Sequence, residues 1–83
     1  MGALDGVRIL VTGAASGIGA AIVRRAVADG ASVAGLDRDA VPETDGVVSV
    51  TADLSDDAAV RSAVAEAVER LGGLDVLVSN AAY

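Results

Sequence analysis

Val7-Arg8-Ile9-Leu10-Val11-Thr12-Gly13-Ala14-Ala15-Ser16-Gly17-Ile18-Gly19 decides how this 83-residue chain is read. An apolar run of strand length, Val7 to Val11, meets glycines at 13, 17 and 19, which describes a strand turning sharply into a helix. The first N–H groups of a helix have no partner within it and carry the positive end of its dipole. An anion therefore settles against them wherever no Cβ intervenes. In this reading Gly13 lets the chain turn, Gly17 lets a diphosphate approach the backbone, and Gly19 lets the helix pack close to the strand. Ser16 has two equal readings, a bond to phosphate or ribose and a bond to its own turn. Ile18 is expected in the core. Glycines serving only to turn and pack are the plain alternative. The strand before, the helix after and an acid, Asp37, about 20 residues beyond favour a dinucleotide.

The rest of the chain repeats the alternation. Ile18, Ile22, Val23, Ala26 and Val27 keep helical spacing between Gly17 and Asp29, with Arg24 and Arg25 turned away and Gly30 as the stop. Ala31 to Leu36 reads as a second strand ending at Asp37, and Val47 to Thr51 as a third. The linker between them, Arg38 to Gly46, is short for a helical crossover. At ~3.3 Å per residue it still reaches back along a strand, so a loop or a single helical turn is expected. Ser55 is the expected N-cap of a second helix, with Asp56 and Asp57 at its positive end. Val60, Ala63, Val64, Ala67, Val68 and Leu71 form its apolar stripe before Gly72-Gly73. Glu66 and Arg70 pair on the exposed side. Leu74 to Ser79 is a fourth strand. Strands alternating with helices predict an α/β fold, a Rossmann-like doubly wound parallel sheet of order 3-2-1-4 over residues 1–83, taken as one partial domain. The outer side of strand 4 is then an open edge that invites self-association.

Composition narrows the function. Hydrophobic residues make up 53% of the chain, which implies extensive burial. The apolar runs are too short to span a bilayer, and the first residues lack the basic start and apolar core of a secretory signal. Six arginines against twelve acids give a net charge of −6. Their scatter argues against nucleic acid and against an anionic membrane. There is no cysteine, which removes disulfides and thiolate metal sites and agrees with a cytoplasmic setting. Lysine and histidine are absent and tyrosine occurs once, at Tyr83, so several usual acids, bases and nucleophiles are missing. At this length one small domain fits, but not a cofactor domain together with its catalytic apparatus, so the chain is expected to be incomplete.

Thr12-Gly13-x-x-x-Gly17-x-Gly19, Asp37 after strand 2, Asp53-Leu54 after strand 3 and Ser79-Asn80-Ala81-Ala82 after strand 4 together resemble the short-chain dehydrogenase/reductase family. The glycine spacing is similar to its single-domain branch, and the resemblance spans essentially the whole chain as that family's N-terminal, cofactor-binding half. Ser79 stands where the family has Asn, and Ala82 where it has Gly. A methyltransferase-like binder would fit the glycines, but not Asp53-Leu54 and Asn80-Ala81 together. The resemblance implies that Asp53 accepts from the adenine amine, that Leu54 flanks the ring, and that Asn80, Ala81 and Ala82 line the ribose side. Asn80 equally suits the satisfying of nearby strand backbone. Asp37 suits the adenosine ribose hydroxyls, and its charge repels a 2′-phosphate, so NAD is favoured over NADP. Arg38 is the one neighbour able to pair with a 2′-phosphate. The family's catalytic Ser, Tyr and Lys lie beyond the matched region, so no catalytic residue is assigned. Tyr83 reads as a packing residue. The alternative is a stand-alone nucleotide-binding or interaction module without catalysis.

Overall fold

The computed structural model describes residues 2–80. Its elements are β1 (Arg8–Thr12), α1 (Gly17–Ala28), β2 (Ser32–Asp37), β3 (Val47–Thr51), α2 (Asp57–Leu71) and β4 (Val76–Ser79). The strands form one parallel sheet in the order β3-β2-β1-β4, as the alternation predicts. At its centre Leu10 sits opposite Ala34 on one side and Leu77 on the other. The fold is the expected Rossmann-like α/β architecture.

Because successive strand residues point to opposite faces, β1 and β2 feed two separate cores. Ile9, Val11 and Val33 join Val23 and Ala26 of α1, whereas Leu10, Ala34 and Leu36 join Ala63 and Ala67 of α2. Leu10, Val11, Val33 and Leu36 are fully buried, which explains why neither strand alternates with polar residues.

Element ends differ from the sequence reading in instructive ways. α2 is capped by Asp56, whose carboxylate accepts from the Ala59 N–H at 3.1 Å, and not by Ser55. Ser55 is already engaged: both its hydroxyl, at 2.7 Å, and its N–H, at 2.9 Å, donate to Asp53 Oδ1, so the helix begins one residue later. β4 starts at Val76 because Asp75 uses its side chain first. The Asp75 carboxylate accepts from the Arg8 N–H at 2.9 Å and takes both arms of the Arg8 guanidinium, at 3.1 and 3.2 Å. The same guanidinium donates to the Gly72 carbonyl at the end of α2, at 2.8 Å. This fork brings β4 beside β1 and ties both to α2.

The 38–46 crossover contains no helix. It is held by buried Val41, whose N–H donates to Ser49 Oγ at 2.9 Å, and by Arg70, which reaches Glu43 at 3.0 Å and the Ser49 carbonyl at 3.1 Å. Arg70 also keeps the Glu66 pairing expected from helical spacing, at 3.6 Å. It thus fastens the crossover and β3 to α2.

Two outcomes test this architecture. Truncating Leu10 to Ala removes a side chain packed on the α2 face, and should lower unfolding free energy by about 2–5 kcal/mol in urea titrations. The Asp75 carboxyl is held below the usual carboxylate range by the Arg8 hydrogen bonds and charge. A carboxyl depressed in the folded state stabilises above the unfolded value, about 3.9, and loses that contribution as pH falls through the folded value. Stability should therefore drop with acid below about pH 4, and Asp75→Asn should flatten that drop while leaving the trend above neutrality unchanged.

Candidate functional site

Every residue singled out by the sequence that the structure describes lies at the carboxyl ends of the strands. The crevice between β1 and β4 is the point where the strand order reverses, the place where open α/β sheets bind ligands. The glycine turn leaves β1 there. Gly13 and Gly17 have φ of +67° and +60°, a region that residues with a Cβ rarely enter. A Cβ at Gly17 would meet nothing within 4 Å among the described residues, so the turn borders open space on that side of the Gly17 Cα. Gly19 is the opposite case. A Cβ there would collide with the Gly13 carbonyl and stand 2.7 Å from Asn80 Nδ2, so its lack of a side chain is what lets α1 start against the end of β1.

The turn is fastened to β2 by three successive amides. Gly13 and Ala14 donate to the Leu36 carbonyl at 2.9 and 3.3 Å, and Ala15 donates to Asp37 Oδ2 at 3.0 Å. Asp37 Oδ1 accepts from the Asp39 N–H at 3.2 Å. Partial burial pulls the Asp37 carboxyl upward, but the amides of Ala15, Asp39 and Arg38, with the Arg38 charge, outweigh it and hold it below the ordinary range. Asp53 is also depressed, chiefly by the Ser55 hydroxyl and amide, with a smaller contribution from Arg38. Arg38 thus lies in the field of both carboxylates.

Asn80 closes the other wall. Its side-chain amide donates to the Gly13 carbonyl at 3.2 Å, and its N–H donates to Thr12 Oγ1 at 3.0 Å. The backbone-satisfying reading of Asn80 is therefore observed. Thr12, whose hydroxyl also reaches the Val78 carbonyl at 3.5 Å, joins β1 to β4 at the mouth of the crevice. The sequence reading named Thr12 only as part of the glycine pattern; its signal was a lone hydroxyl ending an apolar strand.

Other placements depart from expectation. Ile18 is 73% exposed and not in the core. α1 buries the face centred on Gly19, Val23 and Ala26, and at 3.6 residues per turn Ile18 lies about 100° around the helix from it. Ser16 caps α1 by backbone conformation with no side-chain cap bond. Leu54 packs partly buried against the α2-side core. Ala81, Ala82 and Tyr83 lie outside the described residues. Among the described residues no helix is long and apolar enough to cross a membrane.

The family model described as short chain dehydrogenase matches residues 7–83. The chain belongs to the short-chain dehydrogenase family. It is 45% identical over 85 residues to the cis-1,2-dihydrobenzene-1,2-diol dehydrogenase of Pseudomonas putida, a match covering 94% of this chain and 31% of that protein. The 3-ketoacyl-(acyl-carrier-protein) reductase from Brucella melitensis, solved in complex with NADH, superposes with a TM-score of 0.81 at 34% identity, over 90% of this chain and 34% of the other. A blue fluorescent protein from a metagenomic library, solved with NADPH, gives a TM-score of 0.81 at 37% identity, over 96% and 38% of the two chains. The short-chain dehydrogenase segment described here thus spans about a third of the length of these relatives.

Gly19→Ala should force the Gly13 carbonyl and Asn80 aside, costing about 1–3 kcal/mol or more. The urea midpoint should fall, and the Asn80 side-chain amide resonances should move. Ser16→Ala, which removes no side-chain cap bond, should leave the unfolding free energy within about 0.5 kcal/mol of wild type.

Proposed function

We propose that residues 1–83 form the N-terminal, dinucleotide-binding part of an NAD-dependent oxidoreductase whose complete form moves a hydride between nicotinamide and an alcohol or ketone carbon. One observation carries this reading. A glycine turn with open space beside the Gly17 Cα stands at the strand-order reversal, with the Asp37 carboxylate beside it on the end of β2. The fit to an adenine dinucleotide is chemical: helix-start amides suit a diphosphate, and a carboxylate suits vicinal hydroxyls.

In this proposal Gly13, Ser16, Gly17, Ile18 and Gly19 border the diphosphate, with Ile18 as an exposed apolar flank. Asp37 and Arg38 border the adenosine ribose, Asp53 and Leu54 the adenine, and Asn80, Ala81 and Ala82 line the cofactor's ribose side. NAD is preferred to NADP because Arg38 already lies in the field of two carboxylates, Asp37 and Asp53, so a 2′-phosphate would meet a negative surround. Hydride transfer itself would draw on residues that this stretch does not supply, and we propose that the chain is inactive alone. The proposed setting is cytoplasmic, in keeping with a cysteine-free chain.

A second reading, a non-catalytic module that pairs through β4, is favoured by one observation. Val76 and Leu77 are 42% and 58% exposed on a strand whose one partner among the described residues is β1.

Amide titration of the folded chain with NAD⁺ and with NADP⁺ tests the first reading. Shifts should cluster at 13–19, 37–38, 53–54 and 80, with NAD⁺ bound at least about tenfold tighter, a difference of 1.4 kcal/mol. Unmoved resonances at 13–19 would overturn it. Concentration-dependent sedimentation that Leu77→Lys abolishes would support the second.

A further inference from the structure

Asp37 has a second duty in the geometry, distinct from facing a ribose. Three consecutive amides of the glycine turn end on β2, two on the Leu36 carbonyl and the third, Ala15, on Asp37 Oδ2 at 3.0 Å. The first two bonds are backbone to backbone and survive any substitution at 37. Of these three the third alone has a side chain as acceptor, and it falls on the residue immediately before Ser16, the N-cap of α1; the other side chain that holds the turn, Asn80, grips the Gly13 carbonyl at its opposite end. The other oxygen of Asp37 is fixed by the Asp39 amide at 3.2 Å, so the carboxylate is held from both sides and does not need the ligand to orient it. The Asp37 backbone is anchored as well, its carbonyl accepting from Ala52 N–H at 3.0 Å beside the end of β3.

We propose that Asp37 is a positioning residue for the phosphate-binding turn: its Oδ2, by accepting from Ala15, sets the position of the helix-start amides, so that ribose choice and diphosphate grip depend on one carboxylate. The proposal rests on the dinucleotide reading above for its functional meaning, but the positioning itself is a property of the ligand-free chain. It follows that removing Asp37 does not simply relax selectivity toward a 2′-phosphate. It also loosens the diphosphate site that both dinucleotides would share.

The test uses the full 83-residue chain without ligand, followed by titration. Amide hydrogen exchange at Ala15 should accelerate about tenfold in Asp37→Ala, as expected for loss of a bond to a charged acceptor. Asp37→Asn, which retains an acceptor oxygen but not the charge, should restore most of the protection. In the wild-type chain the Ala15 amide proton should shift in step with protonation of the Asp37 carboxyl, a readout that no misfolded variant can obscure. An Ala15 amide that stays flat while Asp37 titrates, or equal exchange in wild type and Asp37→Ala, overturns the proposal. On titration Asp37→Ala should weaken NAD⁺ and NADP⁺ together, and a gain in NADP⁺ binding would count against it. If the wild-type chain binds neither dinucleotide, the dinucleotide reading fails while the Ala15 readout still decides the positioning role.

Discussion

Everything in this fold depends on β1 being covered on both faces and paired on both edges. A strand in that position cannot tolerate polar alternation, so it is apolar throughout its middle. It cannot be reached by hairpins either, so its neighbours arrive through crossovers and run parallel to it. Helix α1 then covers one face and α2 the other, and the carboxyl ends of all four strands gather at one rim of the sheet. The glycine turn is the exit from this buried strand. Its geometry is constrained from both sides, by the end of β2 through the Leu36 carbonyl and Asp37, and by the end of β4 through Asn80.

Such a rim concentrates polar groups where apolar strands stop. Thr12 and Asp37 each end a run of buried residues, Asn80 follows the exposed β4, and each of the three is tied to backbone of a neighbouring segment. The side chains that make the crevice suited to a ligand are the same ones that satisfy the ends of the sheet. By this economy each of these small polar residues serves the sheet and the crevice at once. The same economy explains why Gly19 must lack a Cβ, since the Gly13 carbonyl and Asn80 occupy the space.

The strand order, the parallel pairing and the β-α-β rhythm were legible because they rest on periodicity and on glycine punctuation, which are properties of the sequence alone. β3 was read with its observed ends, Val47 to Thr51. The C-terminal ends of α2 and β4 were read correctly but their starts were not, because Ser55 and Asp75 are engaged elsewhere: Ser55 by Asp53, two residues before it, and Asp75 by Arg8, 67 residues away. The placement of Ile18 was misjudged for a related reason. Helical spacing assigns it to the same stripe as Ile22, but the buried face centres on Gly19, Val23 and Ala26 and Ile18 falls to its side. Arg70 read as half of a surface pair, and its reach to Glu43 and the Ser49 carbonyl required knowing where the crossover returns. Except at Ser55, whose competing partner is local, the missing information was tertiary.

The central strand is flanked by β2, made soon after it, and by β4, which lies at the far end of the described residues. As the chain emerges from the ribosome, β1 and β2 can pair across one helix, yet the other edge of β1 stays bare until residues 76–79 appear. A nascent chain of this order therefore carries an unzipped edge in the middle of its sheet until β4 is made, a state open to misassociation and to capture by chaperones.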